Sequence, residues 1–156
     1  MKHLLTLKEL DKQTLTAIIQ QGIEIKNKPE RYYRACERKG LLMLFQKTST
    51  RTNLSFQSGI QQMGGYPVTM DWNSSNFRIS PIKYEARYAS RNCDFIMARL
   101  KNHSDLLQLA EHSRVPVING CCEKYHPCQA LADFMTIYEV KGTFLRCDAD
   151  VCGNPQ

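Results

Sequence analysis

Two hydrophobic patterns alternate along the chain, one typical of amphipathic helices and the other of buried strands. The first helix is predicted over residues 12–26, where four apolar side chains recur at helical spacing. They are Leu15, Ile18, Ile19 and Ile23. A polar connection follows, and then a continuous apolar run at residues 40–45, which is short and predicts a buried strand.

The alternation of strand and helix continues along the rest of the chain. Further strands are predicted at residues 66–72, 94–100 and 115–120. Four more helices are predicted from apolar spacing and from residues typical of helix ends. The first of these ends at Gly64 and Gly65, and the second runs from Ile82 to about Asn92. The third has Ser104 as its cap, and the fourth begins at Pro127. This order predicts an α/β fold with a four-stranded parallel sheet flanked by helices.

Polar segments follow three of the four predicted strands. They are STRT at residues 49–52, Arg99, and NGCCEKYHPCQ at residues 119–129. The carboxyl ends of parallel strands share one edge of a sheet, and ligands bind beyond that edge. We therefore expect these three segments to meet in space although they are far apart in sequence.

The STRT segment has the chemistry of an anion site. The first turn of a helix offers unpaired N–H groups and a partial positive charge. Ser49, Thr50 and Thr52 add hydroxyl groups, and Arg51 adds a planar fork that matches two phosphate oxygens. The alternative is that Ser49 or Thr50 only caps the helix. The segment is not a P-loop, because no GxxxxGK[ST] pattern is present.

Two further segments could contact the same ligand. His126 lies at the predicted N-cap and Gln129 lies one turn further on, so that both side chains can face one group. A histidine beside a carbonyl can donate a hydrogen bond or transfer a proton. The alternative for His126 is a helix cap without further function. For Arg99, which leaves an apolar strand, the alternative is a surface salt bridge.

The cysteines do not favour a metal centre or a disulfide framework. A metal hypothesis would use Cys121, Cys122, His126 and Cys128, but zinc sites usually contain CxxC-type pairs, and adjacent cysteines are more often small buried residues. The chain has seven cysteines and no export signal, so reduced thiols are expected.

Composition narrows the class of protein. With 156 residues, 42% apolar and 23% charged, the chain suits one globular domain. No apolar run is long enough to predict a membrane span, and a cytoplasmic protein is expected. The net charge of +6 favours anionic partners, but the basic residues are scattered, which argues against nucleic-acid binding.

Several motifs in the same order resemble a known family. STRT followed by SF, then DFIMAR, then VPVING leading into YHPCQALADFMTIYE, resembles the aspartate/ornithine carbamoyltransferases, and the ornithine type more than the aspartate type. The resemblance covers residues 4–142. It implies that residues 1–142 form the carbamoyl-phosphate-binding domain, while residues 143–156 form a short tail without resemblance and the amino-acid-binding domain is absent.

The resemblance also implies roles for individual residues. Ser49, Thr50, Arg51 and Thr52 would hold the phosphate, and Arg99, His126 and Gln129, with Thr52, would hold the carbamoyl group. Arg51, Arg99 and His126 would be the catalytic residues. The implied reaction is attack of an amine, ornithine, on the carbamoyl carbon, which gives citrulline and phosphate. No metal or organic cofactor is implied, and the family resemblance implies a homotrimer.

Two departures from the family pattern are present. Asn53 follows STRT where the family usually has an arginine, so a charge expected to brace the loop is missing. The loop that usually reaches a neighbouring subunit's site is also unusual here, and its candidate residues are Ser75, Asn76, Arg78 and Lys83. Alternative amine substrates are therefore aspartate, putrescine or an acylated ornithine. Because family members are about twice as long, the isolated half is expected to be inactive alone, and a non-catalytic phosphate-binding or assembly module is a further alternative.

Overall fold

A four-stranded parallel sheet forms the centre of residues 3–142, which are the residues that the computed structural model describes. The strands are β1 (Gly40–Phe45), β2 (Tyr66–Asp71), β3 (Phe95–Arg99) and β4 (Val117–Cys121). Their order across the sheet is β2-β1-β3-β4, and every neighbouring pair is parallel. The predicted fold class and all four predicted strands are confirmed.

Five α-helices connect and cover these strands within the described residues. They are α1 (Lys12–Asn27), α2 (Thr50–Gln62), α3 (Ile82–Ala89), α4 (His103–His112) and α5 (Pro127–Lys141). Short 3-10 helices occur at Pro29–Tyr32 and Asn76–Arg78. None of the helices among residues 3–142 has the length and apolar character needed to cross a membrane.

The predicted cap of α4 is wrong by two residues. The helix begins at His103, and Asn102 occupies the extended N-cap position, so Ser104 lies inside the first turn. The Nδ2 atom of Asn102 donates to Oδ2 of Asp105 at 3.0 Å, which ties the cap residue to the first turn. Asparagine is as good an N-cap as serine, so sequence alone could not separate the two positions.

The side chains of β1 alternate between two cores, one on each face of the sheet. Leu42 and Leu44 pack with residues of α3 and α4 in one core. Leu41 and Met43 pack with Ile60 of α2 in the other. All six residues of β1 are buried, which explains why this strand has a continuous apolar sequence rather than an alternating one.

The end of α2 depends on a glycine. Gly64 has a φ of +86°, a left-handed conformation that L side chains rarely adopt. A Cβ atom at this position would lie 2.6 Å from the carbonyl oxygen of Tyr33, which belongs to the preceding connection. Gly64 therefore lets the chain turn from α2 into β2 against that connection, and it helps to fix α2, whose other end carries the STRT segment.

We expect Gly64→Ala to lower the free energy of unfolding by about 1–2 kcal/mol, because the left-handed backbone strains any L side chain. The matched control is Gly59→Ala in the interior of α2, where a new Cβ meets nothing within 4 Å. That substitution should raise stability by about 0.5–1 kcal/mol through better helix propensity. Urea unfolding of both variants measures the difference, and equal effects would contradict the role given to Gly64.

Candidate active site

A pocket of about 330 Å³ lies where β1, β3 and β4 end. It contains six of the seven side chains predicted to bind the ligand, brought from three separate segments. They are Ser49, Arg51, Thr52, Arg99, His126 and Gln129. The convergence predicted for the three polar segments is therefore observed.

Thr50 is the predicted residue that does not line this pocket. It lines an adjacent, larger cavity of about 780 Å³ beside β2, together with Lys47, Thr48 and Asn53. Successive residues of a helix point about 100° apart, so neighbours in the first turn of α2 face different cavities. Ser49 lines both cavities, which places it at the boundary between them.

Ser49 caps α2, as the alternative interpretation of STRT proposed. Its backbone is extended, and its Oγ atom accepts the N–H of Thr52 at 3.3 Å. This cap does not remove the site's anion-binding chemistry, because the positive end of the helix faces the same place. The guanidinium of Arg51 on the same first turn lines the pocket.

Arg99 is the last residue of β3, and it lines the pocket. Its Nη1 atom donates to Oγ1 of Thr52 at 3.3 Å and lies 3.5 Å from the carbonyl oxygen of Gly120. Its Nε atom is buried and has no hydrogen-bond partner. Within residues 3–142, Arg99 also forms no ion pair, so the alternative of a surface salt bridge is wrong for this part of the chain. A buried donor without a partner is uncommon in a folded protein.

The pairing of β3 with β4 explains how Arg99 reaches this position. The register shifts between Ala98 and Arg99, so that Arg99 pairs with Cys121 and Gly120 is bypassed. Such irregularities redirect side chains at the ends of strands. A Cβ atom on Gly120 would lie 2.5 Å from the sulfur of Met97 and 3.5 Å from Cβ of Arg99, so a glycine is needed where the two strands end.

His126 is the N-cap of α5, and Pro127 is the first helical residue, as predicted. The Nδ1 atom of His126 accepts the N–H of Gln129 at 3.4 Å. An accepting Nδ1 assigns the proton of the neutral ring to Nε2. Burial lowers the pKa of His126 below the ordinary 6.5, and the charge of Arg99 lowers the pKa further. At neutral pH the ring is therefore a neutral donor through Nε2.

The side chain of Asn53 contacts the neutral side chain of Gln57 within α2. Its Oδ1 atom accepts from Nε2 of Gln57 at 2.6 Å, and the same Nε2 lies 3.2 Å from Oγ1 of Thr69 on β2. The chain of contacts joins the start of α2 to the neighbouring strand. Gln57 and Thr69 are not among the residues predicted from the sequence, although the spacing of four residues between Asn53 and Gln57 indicates a contact on one helix face.

The residues considered for a metal site have other environments. In the described part of the chain, no group of three or more His, Cys, Asp or Glu is placed to hold a metal ion. Burial raises the pKa of Cys128 to about 11, which keeps it a thiol, whereas metals bind the thiolate. Cys122 is buried, and its sulfur accepts the N–H of Tyr125 at 3.4 Å. Cys147 and Cys152 lie outside the described residues.

The four residues considered for contact with a neighbouring subunit do not line the pocket. Ser75 and Asn76 line a separate cavity of about 260 Å³ near α3. Arg78 ends the second 3-10 helix, and the Nζ atom of Lys83 lies over the ring of Tyr84. Their proposed contact with another subunit stays a prediction.

The fold and the pocket define an α/β domain with a pocket lined by two arginines at the carboxyl edge of its sheet. Residues 2–139 match the carbamoyl-P binding domain of the aspartate/ornithine carbamoyltransferases, so the chain belongs to this family. The ornithine carbamoyltransferase of Listeria monocytogenes is 43% identical over 141 residues, which are 90% of this chain and 45% of the relative. The chain therefore spans about half the length of the curated relatives it matches.

Solved structures give the same result. The anabolic ornithine carbamoyltransferase of Campylobacter jejuni superposes with a TM-score of 0.85 at 37% identity, over 90% of this chain and 46% of that one. The catalytic subunit of M. jannaschii aspartate transcarbamoylase superposes with a TM-score of 0.83 at 29% identity. The superposition covers 91% of this chain and 48% of that one. The domain fold is thus shared by ornithine- and aspartate-type proteins.

We expect the His126 ring to titrate below pH 6.5 in the ligand-free protein, because burial and Arg99 both disfavour the imidazolium. NMR titration of the ring protons measures the midpoint, and His126→Gln assigns the resonance. Inorganic phosphate should raise the midpoint, because an anion favours the charged ring. A ligand-free midpoint at or above 6.5 would contradict the neutral state assigned to His126.

Proposed function

We propose that this chain binds carbamoyl phosphate in the pocket at the ends of β1, β3 and β4. The observation that carries the proposal is the convergence of Arg51, Thr52, Arg99, His126 and Gln129 around one cavity. Membership of the family, whose matching domain is described by its carbamoyl-P binding, supports this ligand.

The phosphate would lie at the start of α2. Ser49, Thr50, Arg51 and Thr52 are the residues proposed to hold it. The helix end supplies N–H groups and partial positive charge, and Arg51 supplies two parallel donors to phosphate oxygens. Thr50 faces the adjacent cavity with its side chain, so its share in this proposal is through the backbone of the first turn.

The carbamoyl group would lie between Arg99, His126 and Gln129. The Nη1 group of Arg99, the Nε2–H of neutral His126 and the hydroxyl of Thr52 are donors that a carbonyl oxygen can accept. In the ligand-free structure, Nε2 of Gln129 donates to Oδ1 of Asp133 at 2.9 Å, which leaves its amide oxygen to accept from the carbamoyl nitrogen.

In the whole protein we propose transfer of the carbamoyl group to an amine. The amine lone pair forms a bond to the carbamoyl carbon, and the negative charge that develops on the carbonyl oxygen is stabilised by Arg99, His126 and Thr52. The bond from carbon to the bridging oxygen then breaks, phosphate leaves with the electron pair, and the amine nitrogen gives a proton to the departing phosphate. Arg51 and the start of α2 stabilise the departing phosphate. The proposal uses no metal or organic cofactor.

Ornithine is the proposed amine, with citrulline as the product, because relatives such as those of Listeria monocytogenes and Campylobacter jejuni are named ornithine carbamoyltransferases. Aspartate, putrescine and an acylated ornithine are the competing substrates, since an aspartate transcarbamoylase shares the fold. We propose that amine recognition belongs to the half of the relatives that this sequence does not match. We also propose a cytoplasmic homotrimer with no nucleic-acid or membrane partner, and light scattering of the purified chain measures the oligomeric state.

We expect Arg51→Ala to weaken carbamoyl phosphate and inorganic phosphate binding about ten- to a hundredfold, the loss expected for a hydrogen-bonded charge on a phosphate. Isothermal titration calorimetry measures both affinities. The control is Arg87→Ala, which removes the same charge from an exposed position on α3 and should bind as the wild type does. Equal binding by the Arg51 variant, or no binding by the wild type, would overturn the proposed site.

A substrate panel tests the transfer reaction. With carbamoyl phosphate and each of ornithine, aspartate, putrescine or acetylornithine, this chain alone should release phosphate no faster than the buffer control. The same residues followed by the second half of an ornithine-type relative should form citrulline with ornithine. A product only with another amine would reassign the substrate. Phosphate binding without any product would favour the non-catalytic module.

A further inference from the structure

Asn119 is a polar side chain in the interior of β4, and it is completely buried. Its Nδ2 atom donates to the carbonyl oxygens of Leu5 at 2.9 Å and Tyr125 at 3.3 Å. Its Oδ1 atom accepts the N–H of Cys121 at 3.0 Å. A buried amide is costly unless both its donors and its acceptor are used, and here all of them have partners.

These contacts belong to a closed network around Tyr125. The carbonyl oxygen of Tyr125 accepts from both Nδ2 of Asn119 and the N–H of Cys122, the latter at 3.0 Å. The N–H of Tyr125 donates to the sulfur of Cys122 at 3.4 Å. Both backbone polar groups of Tyr125 are thus held, by Asn119 within β4 and by Cys122 just beyond its end.

The network reaches His126 through one rigid unit. The peptide group between Tyr125 and His126 is planar, so fixing the Tyr125 carbonyl also fixes the nitrogen and Cα of His126. Among residues 3–142, the ring of His126 accepts one hydrogen bond, from the N–H of Gln129 at 3.4 Å. A single long contact restrains the ring weakly, and the direction of Nε2 therefore depends on the backbone that carries it.

We propose that Asn119 is a positioning residue that aims Nε2 of His126 into the pocket by holding the Tyr125 carbonyl, with Cys122 as the second half of the network. The inference deepens the proposed function and rests on it, since it concerns the side of the pocket that would hold the carbamoyl group. The hydrogen bonds of the Asn119 side chain within residues 3–142 do not include the STRT segment. We therefore expect loss of this side chain to weaken binding on the carbamoyl side of the pocket and not on the phosphate side.

A ligand-free measurement tests the network itself. Asn119→Asp keeps the size and the acceptor but replaces the donor with an oxygen that faces two carbonyl oxygens. We expect the His126 ring resonances, and their titration midpoint, to shift away from the wild-type values. Val117→Ala is the control, because it also disturbs the buried part of β4 but removes no polar contact. Unchanged His126 resonances in folded Asn119→Asp would overturn the inference.

Calorimetry then separates positioning from general destabilisation. Asn119→Asp should lower the affinity for carbamoyl phosphate about three- to tenfold, the range for one lost hydrogen bond, and leave the affinity for inorganic phosphate unchanged. Val117→Ala should leave the ratio of the two affinities at the wild-type value. An equal loss for both ligands in Asn119→Asp would show a merely structural role and overturn the inference.

A second pair of variants applies if Asn119→Asp does not fold. Cys122→Ala removes the sulfur that accepts the N–H of Tyr125, and Cys122→Ser restores an acceptor. The alanine variant should shift the His126 resonances and the serine variant should return them toward the wild type. No shift in either would overturn the inference. Wild-type protein that binds phosphate without preferring carbamoyl phosphate would instead refute the proposed function, and the ligand-free spectra would still decide the role of Asn119.

Discussion

The pocket depends on the order of the strands in a parallel sheet. The chain places β2 on one side of β1 and β3 on the other, so the connections leaving β1 and β3 run in opposite directions and a crevice opens between them. The STRT segment follows β1, and Arg99 ends β3, so both lie at this crevice. Because β4 pairs with β3, the loop that follows β4 and carries His126 borders the same crevice.

The residues that line the crevice carry more positive than negative charge. The start of α2, Arg51 and Arg99 all contribute positive charge, while no Asp or Glu of residues 3–142 lines the pocket. Burial lowers the pKa of His126, and the positive charge of Arg99 lowers the pKa further. An anion would favour the charged form of the His126 ring, so the charge of this site agrees with the phosphate compound proposed as its ligand.

The sequence predicted most of what local patterns determine. The burial of all of β1 and the turn at Gly64 follow from an apolar run and a glycine pair. The convergence of Arg99 with the STRT and HPCQ segments followed from the parallel sheet. The direction of Thr50, the register shift at Arg99 and the network of Asn119 could not be predicted, because each depends on contacts with a neighbouring strand or loop.

At Asn53, where the family pattern usually has an arginine, this chain has neutral contacts in place of a charge. An arginine here would add a third positive charge near the start of α2, where the helix dipole already disfavours cations. The contacts of Asn53, Gln57 and Thr69 join α2 to β2 without any charge. Neutral hydrogen bonds of this kind are not screened by salt and do not titrate near neutral pH. The contacts between α2 and β2 therefore do not depend on charge, and the positive charge at the pocket comes from Arg51, Arg99 and the start of α2.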